Sequence, residues 1–591
     1  MSRTVLLGID GMDPVITEQM MAVGQLPNFE RLAAKGSYRR LATINPPQSP
    51  VVWASIATGL NPCGHGIYDF IHRDPVSYKP YLSLHRMERG SYVNPVNGAA
   101  FWEKAALRGI FSTILKWPMG FPPRPFDGRM LAGLGVPDIR GMLGSYTFFT
   151  SAPERIAADA KGRIVPVESR KGIIQTDITG PYTASLAGRK ASAVPLTITI
   201  DNGVAHCRIG RQSFSLMTGE WSSWIAISFD SGFFRSVTGL CRFHLSGISP
   251  DFTLYMTPVN VACNTAEFPL SHPPAYAAEL ADAIGPYATL GMAEDTNALN
   301  DGILDDDGFI TLCDSVMQER EAMFMHELSR FREGLLACVF DTTDRIQHMF
   351  WRTLDTGHPM YNHDLADRYR DVIPRYYRWM DRILGVVMER APDASLLCCS
   401  DHGFTTFRRS VHVNSWLVRN GFMTLKPGTT SCDGLFESVD WSKTKAYALG
   451  FTSIYLNISG REKQGVVGGA ELPELKRELM ARLQQFDDGG NMVIEKVHDI
   501  ELLYGKNFSG NTGPDLVTGY ASGYRASWQT AIGGVTEGPV IEDNLKKWSG
   551  DHCCDAALVP GVLFCSEKLG PASPAITDIP SLLESMKAGI K

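Results

Sequence analysis

Four separated stretches of the chain end an apolar run in an acid or an imidazole, or place one close by. VLLGID ends in Asp10, LLACVFDTTDRIQH holds Asp344 and His348, SLLCCSDH ends in Asp401 and His402, and SGDH holds His552. Asp344 and His348 stand at i and i+4, so on a helix both side chains share a face and can grip one ion. Each feature alone has a plainer reading: Asp10 as a turn before Gly11, Asp344 as a helix cap, His348 as a half-buried ring beside Phe350 and Trp351, Asp401-His402-Gly403 as a turn. Together they strain that reading, because strands seldom all end in acids and imidazoles without a cation to hold. Carboxylates and imidazoles in this number suffice for two divalent ions with open positions, the arrangement used for in-line displacement at phosphorus with metals roughly 3.5 to 4 Å apart.

A nucleophile for such chemistry stands in TINPPQSPVVWASIATG, residues 43–59. Ser49 before Pro50 reads as the N-cap of a buried helix, with Pro50 at its first position and Gly59 as its stop. The same geometry turns backbone N–H groups and the positive end of the helix dipole toward whatever lies beside Ser49, which suits a phosphate.

The elements that must carry these residues alternate in α/β fashion. VLLGID, PNFERLAAKG, the Ser49 helix, FWEKAALRG and IFSTILKW give strand and helix patterns in turn, and LLACVF and SLLCCS each follow an amphipathic helical stretch. In an open sheet of this kind the C-terminal strand ends converge on one crevice. Between about 136 and 265 the texture changes to β-branched and aromatic segments such as PLTITID and SWIAISFD, which predicts a β-rich insertion. The division expected is a catalytic α/β domain in three parts (1–135, 266–435 and 531–591), interrupted by the insertion at 136–265 and by a smaller mixed α/β cap at 436–530.

Composition narrows the class. The chain has 591 residues, 44% hydrophobic and 20% charged, with no apolar run long enough for a bilayer. Its N-terminus lacks a signal-peptide pattern, and its twelve cysteines, none in a C-x-x-C pair, read as reduced core residues, so a cytoplasmic location is expected. A net charge of −7 without a basic stripe argues against a structural nucleic-acid partner. There is no G-x-S-x-G elbow for a serine esterase and no G-x-G-x-x-G after the first strand for a dinucleotide enzyme.

The ordered set Asp10, Ser49 in QSPVVWASIATGLNPCGHGI, Asp344 with His348, Asp401-His402-Gly403 and His552 resembles the alkaline phosphatase superfamily. Within it, the chain is most similar to the type I phosphodiesterase and nucleotide pyrophosphatase group. The resemblance implies an alkaline-phosphatase-like, mostly parallel central sheet flanked by helices. It also implies one metal on Asp10, Asp401, His402 and the Ser49 oxygen, a second on Asp344, His348 and His552, and Ser49 as nucleophile through a phosphoserine. Zinc is the first choice of ion and manganese the second. The Val51 amide, Arg73 and Lys116 are the candidates to hold phosphoryl oxygens, the last two because Tyr68-Asp69-Phe70 stands where the group usually has an Asn. The substrate implied is a small phosphate ester or phosphodiester. A phosphomonoesterase, a mutase-like phosphotransferase and a non-catalytic binding protein on the same frame are the alternatives, and a homo-oligomer is compatible with all of them. Asp341 is read as a supporting residue, His65 and His412 as structural, and Trp221, Trp224 and Phe233 as core aromatics that could otherwise stack on a substrate.

Overall fold

The computed structural model describes residues 3–185, 188–232, 235–265, 268–505, 512–570 and 574–586. Phe233 lies outside them. The described chain divides into two compact units, one of residues 1–119, 126–128 and 328–591, the other of residues 120–125 and 129–327.

In the first unit six strands run in the order Ser37–Leu41, Gly561–Cys565, Ser395–Cys399, Arg3–Ile9, Gly334–Phe340, Ser112–Trp117. The last four are mutually parallel, and Gly561–Cys565 alone runs against its neighbours. Strands covered on both faces read as unbroken apolar runs, and the central ones are buried almost end to end. Helices Thr342–Phe350 and Val372–Arg390 pack on one another. Helix Ser49–Thr58 is buried on every side, which matches a sequence apolar all round. Its end is as expected: Gly59 takes the left-handed conformation at φ 74° and closes it.

The segment from 436 to 530 contains an antiparallel sheet, Ala446–Leu449, Ser453–Leu456, Leu516–Tyr520 and Ile494–Asp499 in that order, with helix Leu472–Gln484 against the last strand. Leu475, Leu479 and Leu483 of that helix join Tyr447, Tyr455 and Leu516 in one core.

The second unit is strand-rich. Four antiparallel strands, Ile173–Ser185, Gly188–Asp201, Val204–Ile209 and Gln212–Met217, form a meander whose inward residues Ile178, Leu196, Ile198 and Cys207 share a core with Phe229 and Leu254. This unit runs on to residue 327, past the change of texture at 265, because Ala298, Ile303, Leu304 and Leu312 of the following helical stretch pack on Tyr146, Phe148 and Tyr255. Trp221 packs on Tyr255 and His244, and the Trp224 indole donates to Glu319 at 2.8 Å, so both have packing partners inside this unit.

Candidate active site

Strand register places the acids. Gly8 pairs with Cys399 and Ile9 with Phe340, so the three central parallel strands end level and hand Asp10, Asp341 and Asp401 to the same sheet edge. The Asp10 amide donates to the Phe340 carbonyl at 2.9 Å and Thr343 Oγ1 donates to the Asp10 carbonyl at 2.6 Å, tying the start of the Asp344 helix to the first strand. On that helix, Asp344 and His348 share a face as their spacing requires, with His348 Nε2 3.3 Å from Asp344 Oδ2.

Asp10, Ser49, Asp344, His348, Asp401, His402 and His552 are all buried and all brought together. Ser49 Oγ lies 3.3 Å from Asp10 Oδ1 and 3.3 Å from His402 Nε2. His402 Nε2 is 3.1 Å from Asp401 Oδ2 and 3.8 Å from Asp10 Oδ1, and His552 Nε2 is 3.5 Å from Asp344 Oδ1. Three sets among the described residues offer donor atoms within 4.8 Å of one another: Asp551, His552 and Cys553, and, among the expected ligands, Asp10, Asp401 and His402 and beside them Asp344, His402 and His552. His402 thus stands between the last two, its ring stacked on that of His552 at 3.6 Å.

The donor chemistry fits a cation. Each imidazole spends Nδ1 on a backbone carbonyl: His348 on Gly550 at 2.7 Å, His402 on Gly403 at 3.0 Å, His552 on Pro47 at 2.6 Å. Those carbonyls can only accept, so Nδ1 carries a proton and Nε2 is the atom turned to the carboxylates, the orientation of metal-ligating histidines. Asp344 Oδ1 and Asp401 Oδ2 are buried with no hydrogen-bond donor. Burial, then the charges of Asp401 and Asp344, raise the Asp10 carboxyl well above the carboxylate range. Burial opposes ionisation of Asp344 too, but His348, Arg345 and His552 hold it well below that range. Burial and the neighbouring His402 push His552 down to about 3. Carboxylates that crowd one another in a dry site are costly unless positive charge sits between them.

Three expectations change. Ser49 is not the N-cap: Gln48 occupies that position and Ser49 is the first helical residue, because the Gln48 carbonyl takes the Val51 and Val52 amides at 2.9 Å each while the Ser49 hydroxyl turns to Asp10 and His402. The Val51 amide is therefore already engaged in starting the helix. Arg73 does not serve a phosphate either. Its guanidinium, with no exposure, pairs with Glu462 at 2.6 Å, donates to Tyr447 Oη at 2.6 Å and lies over the Tyr455 ring. The donor set around Asp344 includes His402, which the resemblance assigns to the first metal alone, while His348 approaches Asp344 through its other oxygen. Lys116 is buried near the end of its strand with φ 55°.

Other supports had no signal in the sequence. Trp53 Nε1 donates to Asp10 Oδ2 at 3.0 Å, and the Gly11 amide to Asp401 Oδ1 at 3.0 Å. Trp548 lies against the His348 ring at 3.8 Å, with its indole nitrogen on Asp551. Asp551, held by Arg525 at 2.6 Å, also accepts the His552 amide. His65 accepts the Ile67 amide and bonds Ser55, and burial pushes it down to about 3, so it is a neutral structural group. His412 pairs with Glu542 at 3.1 Å.

A mostly parallel α/β sheet whose strand ends gather acids and imidazoles is a frame on which a hydrolytic site can be built. The model of the type I phosphodiesterase/nucleotide pyrophosphatase family matches residues 4–185 and 254–522, and the chain belongs to that family. That makes it a phosphoric ester hydrolase. His552 lies beyond the matched range. Among solved structures the chain is similar to phosphonoacetate hydrolase from Sinorhizobium meliloti 1021 in complex with phosphonoacetate, at 12% identity and TM-score 0.45 over 98% of this chain and 94% of that one. It is also similar to murine ectonucleotide pyrophosphatase/phosphodiesterase 5, at 10% identity and TM-score 0.39 over 99% and 94%. No curated protein matches it. No helix among the described residues is long and apolar enough to cross a membrane.

Proposed function

We propose that the chain is a two-metal phosphodiesterase in which Ser49 attacks phosphorus in line. The observation that carries this is the Ser49 hydroxyl at the mouth of its helix, 3.3 Å from both Asp10 Oδ1 and His402 Nε2. Asp10, Asp401, His402 and Ser49 would hold one ion and Asp344, His348 and His552 a second, with His402 close enough to serve either set. Bound zinc or manganese would lower the hydroxyl pKa and neutralise charge on the phosphoryl oxygens.

The chain's own residues do the rest. Asp10 accepts the Ser49 hydrogen bond and sets the direction of the oxygen lone pairs, and the Trp53 indole keeps Asp10 from turning away. The Ser49 oxygen forms a bond to phosphorus as the ester oxygen opposite departs, leaving a phosphoserine. Water then attacks the same phosphorus and returns the serine. Lys116, buried on the strand beside Gly334–Phe340, is the remaining cation proposed for a phosphoryl oxygen. A cytoplasmic setting is supported by the cysteines being core residues, eleven of the twelve buried.

The test compares bis-p-nitrophenyl phosphate with p-nitrophenyl phosphate on stripped protein refilled with zinc or manganese, beside Ser49→Ala. Diester preference, with kcat down at least about a thousandfold in the variant at unchanged metal content, is expected. Full activity of Ser49→Ala overturns the nucleophile; monoester preference moves the reading to a phosphatase or mutase; turnover of neither ester with metals bound leaves the binding protein.

A further inference from the structure

Behind the nucleophile lies a carboxylate that touches none of the metal-ligand candidates. Asp69 has no exposure, and its carboxylate accepts from Gln48 Nε2 at 2.9 Å, the Phe451 amide at 3.0 Å and the Ile71 amide at 3.2 Å. Gln48, equally buried, takes the Phe70 amide on Oε1 at 3.2 Å, and Nε2 also lies 3.4 Å from Thr452 Oγ1. Both ends of the Gln48 amide are thus fixed, and its backbone carbonyl starts the Ser49 helix. The far side of the clamp is the turn between strands Ala446–Leu449 and Ser453–Leu456. Gly450 there has φ 74°, and a Cβ on it would lie 2.5 Å from Asp69 Cγ, so the turn is pressed onto the carboxylate.

We infer that Asp69 is a positioning residue: through Gln48 it fixes the start of the Ser49 helix against the Gly450–Thr452 turn, and so fixes the aim of the Ser49 hydroxyl. The inference rests on Ser49 being the nucleophile. It explains why the helix starts on a glutamine whose side chain makes no cap bond, and why Ser49, relieved of capping, can face Asp10 and His402. It also gives the segment 436–530 a part in the reaction without contact to the substrate.

The experiment measures kcat, KM and metal content for Asp69→Asn, Gly450→Ala, and the cycle Gln48→Ala, Asp69→Ala and the double variant, with Ser49→Ala as control. A misaimed nucleophile lowers kcat by roughly ten- to a hundredfold at a KM within threefold and unchanged metal content. The double variant should lose no more than the worse single one, since both act along one line. The inference is overturned if Asp69→Asn keeps kcat within twofold, or if the Gln48 and Asp69 effects multiply. Should Asp69→Asn fail to fold, Gly450→Ala and Gln48→Ala decide by the same kcat and KM criteria. A fully active Ser49→Ala would remove the nucleophile reading itself, whereas an inactive Ser49→Ala beside an undisturbed Asp69→Asn removes only this inference.

Discussion

Two buried charge clusters in the first unit make opposite use of the same chemistry. Around Arg73 every charge is answered: Glu462 takes Arg73 at 2.6 Å, Arg461 at 2.9 Å and the Ile458 amide at 2.9 Å, while Asp515 takes Arg461 and the Leu456 amide. At the strand ends, buried oxygens of Asp344 and Asp401 have no hydrogen-bond partner, and three imidazoles turn their Nε2 atoms toward carboxylates. Burial alone does not separate structure from function here. Completeness of partnering does: the saturated cluster holds the chain, and the unsaturated one is built to hold something else.

The comparison breaks most visibly at Asp401. Asp401→Asn should lower turnover by about a thousandfold and reduce metal content, yet raise the melting temperature of the stripped protein, since it removes a charge that helps push Asp10 up. A lower melting temperature of the stripped variant would mean that the cluster is saturated after all. Glu462→Gln should do the reverse, costing about 3 to 5 kcal/mol in denaturant unfolding while metal content and kcat of the folded protein hold.

Asp69 falls between the two clusters, supplied with donors but with no cation, and burial pushes its carboxyl up to about 6 against the hydrogen bonds that lower it. A carboxyl held above its ordinary value stabilises the fold while protonated. Its contribution is complete below about pH 4 and is lost as pH rises through about 6. Stability relative to Asp69→Asn should therefore fall by about 3 kcal/mol between those limits and then level; a flat difference across pH 4 to 7 contradicts this. The smallest effect belongs to the second unit, where Trp224→Phe removes one hydrogen bond to Glu319, costs about 1 kcal/mol and leaves kcat unchanged.

These contrasts also mark how far the sequence could be read. Asp10, Asp344, His348, Asp401, His402 and His552 are legible because an acid or imidazole beside an apolar run is chemically conspicuous, and parallel register then aligns the strand ends. Arg73 misleads because its partner Glu462 is 389 positions away, so nothing in the surrounding sequence shows that the cation is already taken. The carbonyls of Pro47, Gly403 and Gly550 leave no trace, since every residue carries one. Ser49 reads as a cap because local preference favours serine there, and only the tertiary grip on Gln48 frees its hydroxyl. The 265 boundary follows local texture, whereas the compact unit follows packing through to residue 327.

Strands Ser112–Trp117 and Gly334–Phe340 are neighbours, with Ser112 opposite Leu335, although the whole second unit lies between them in sequence. The consequence is one of timing. Pairing them closes a very long loop, and such non-local pairing slows folding unless the intervening chain has already condensed. The second unit, with its own core, can condense by itself and shorten that loop. Asp344 reaches Asp10 when Gly334–Phe340 also pairs with Arg3–Ile9 across a still longer interval, so during refolding the capacity to bind metal should appear after most of the secondary structure, and the first catalytic turnover would announce that the topology is complete.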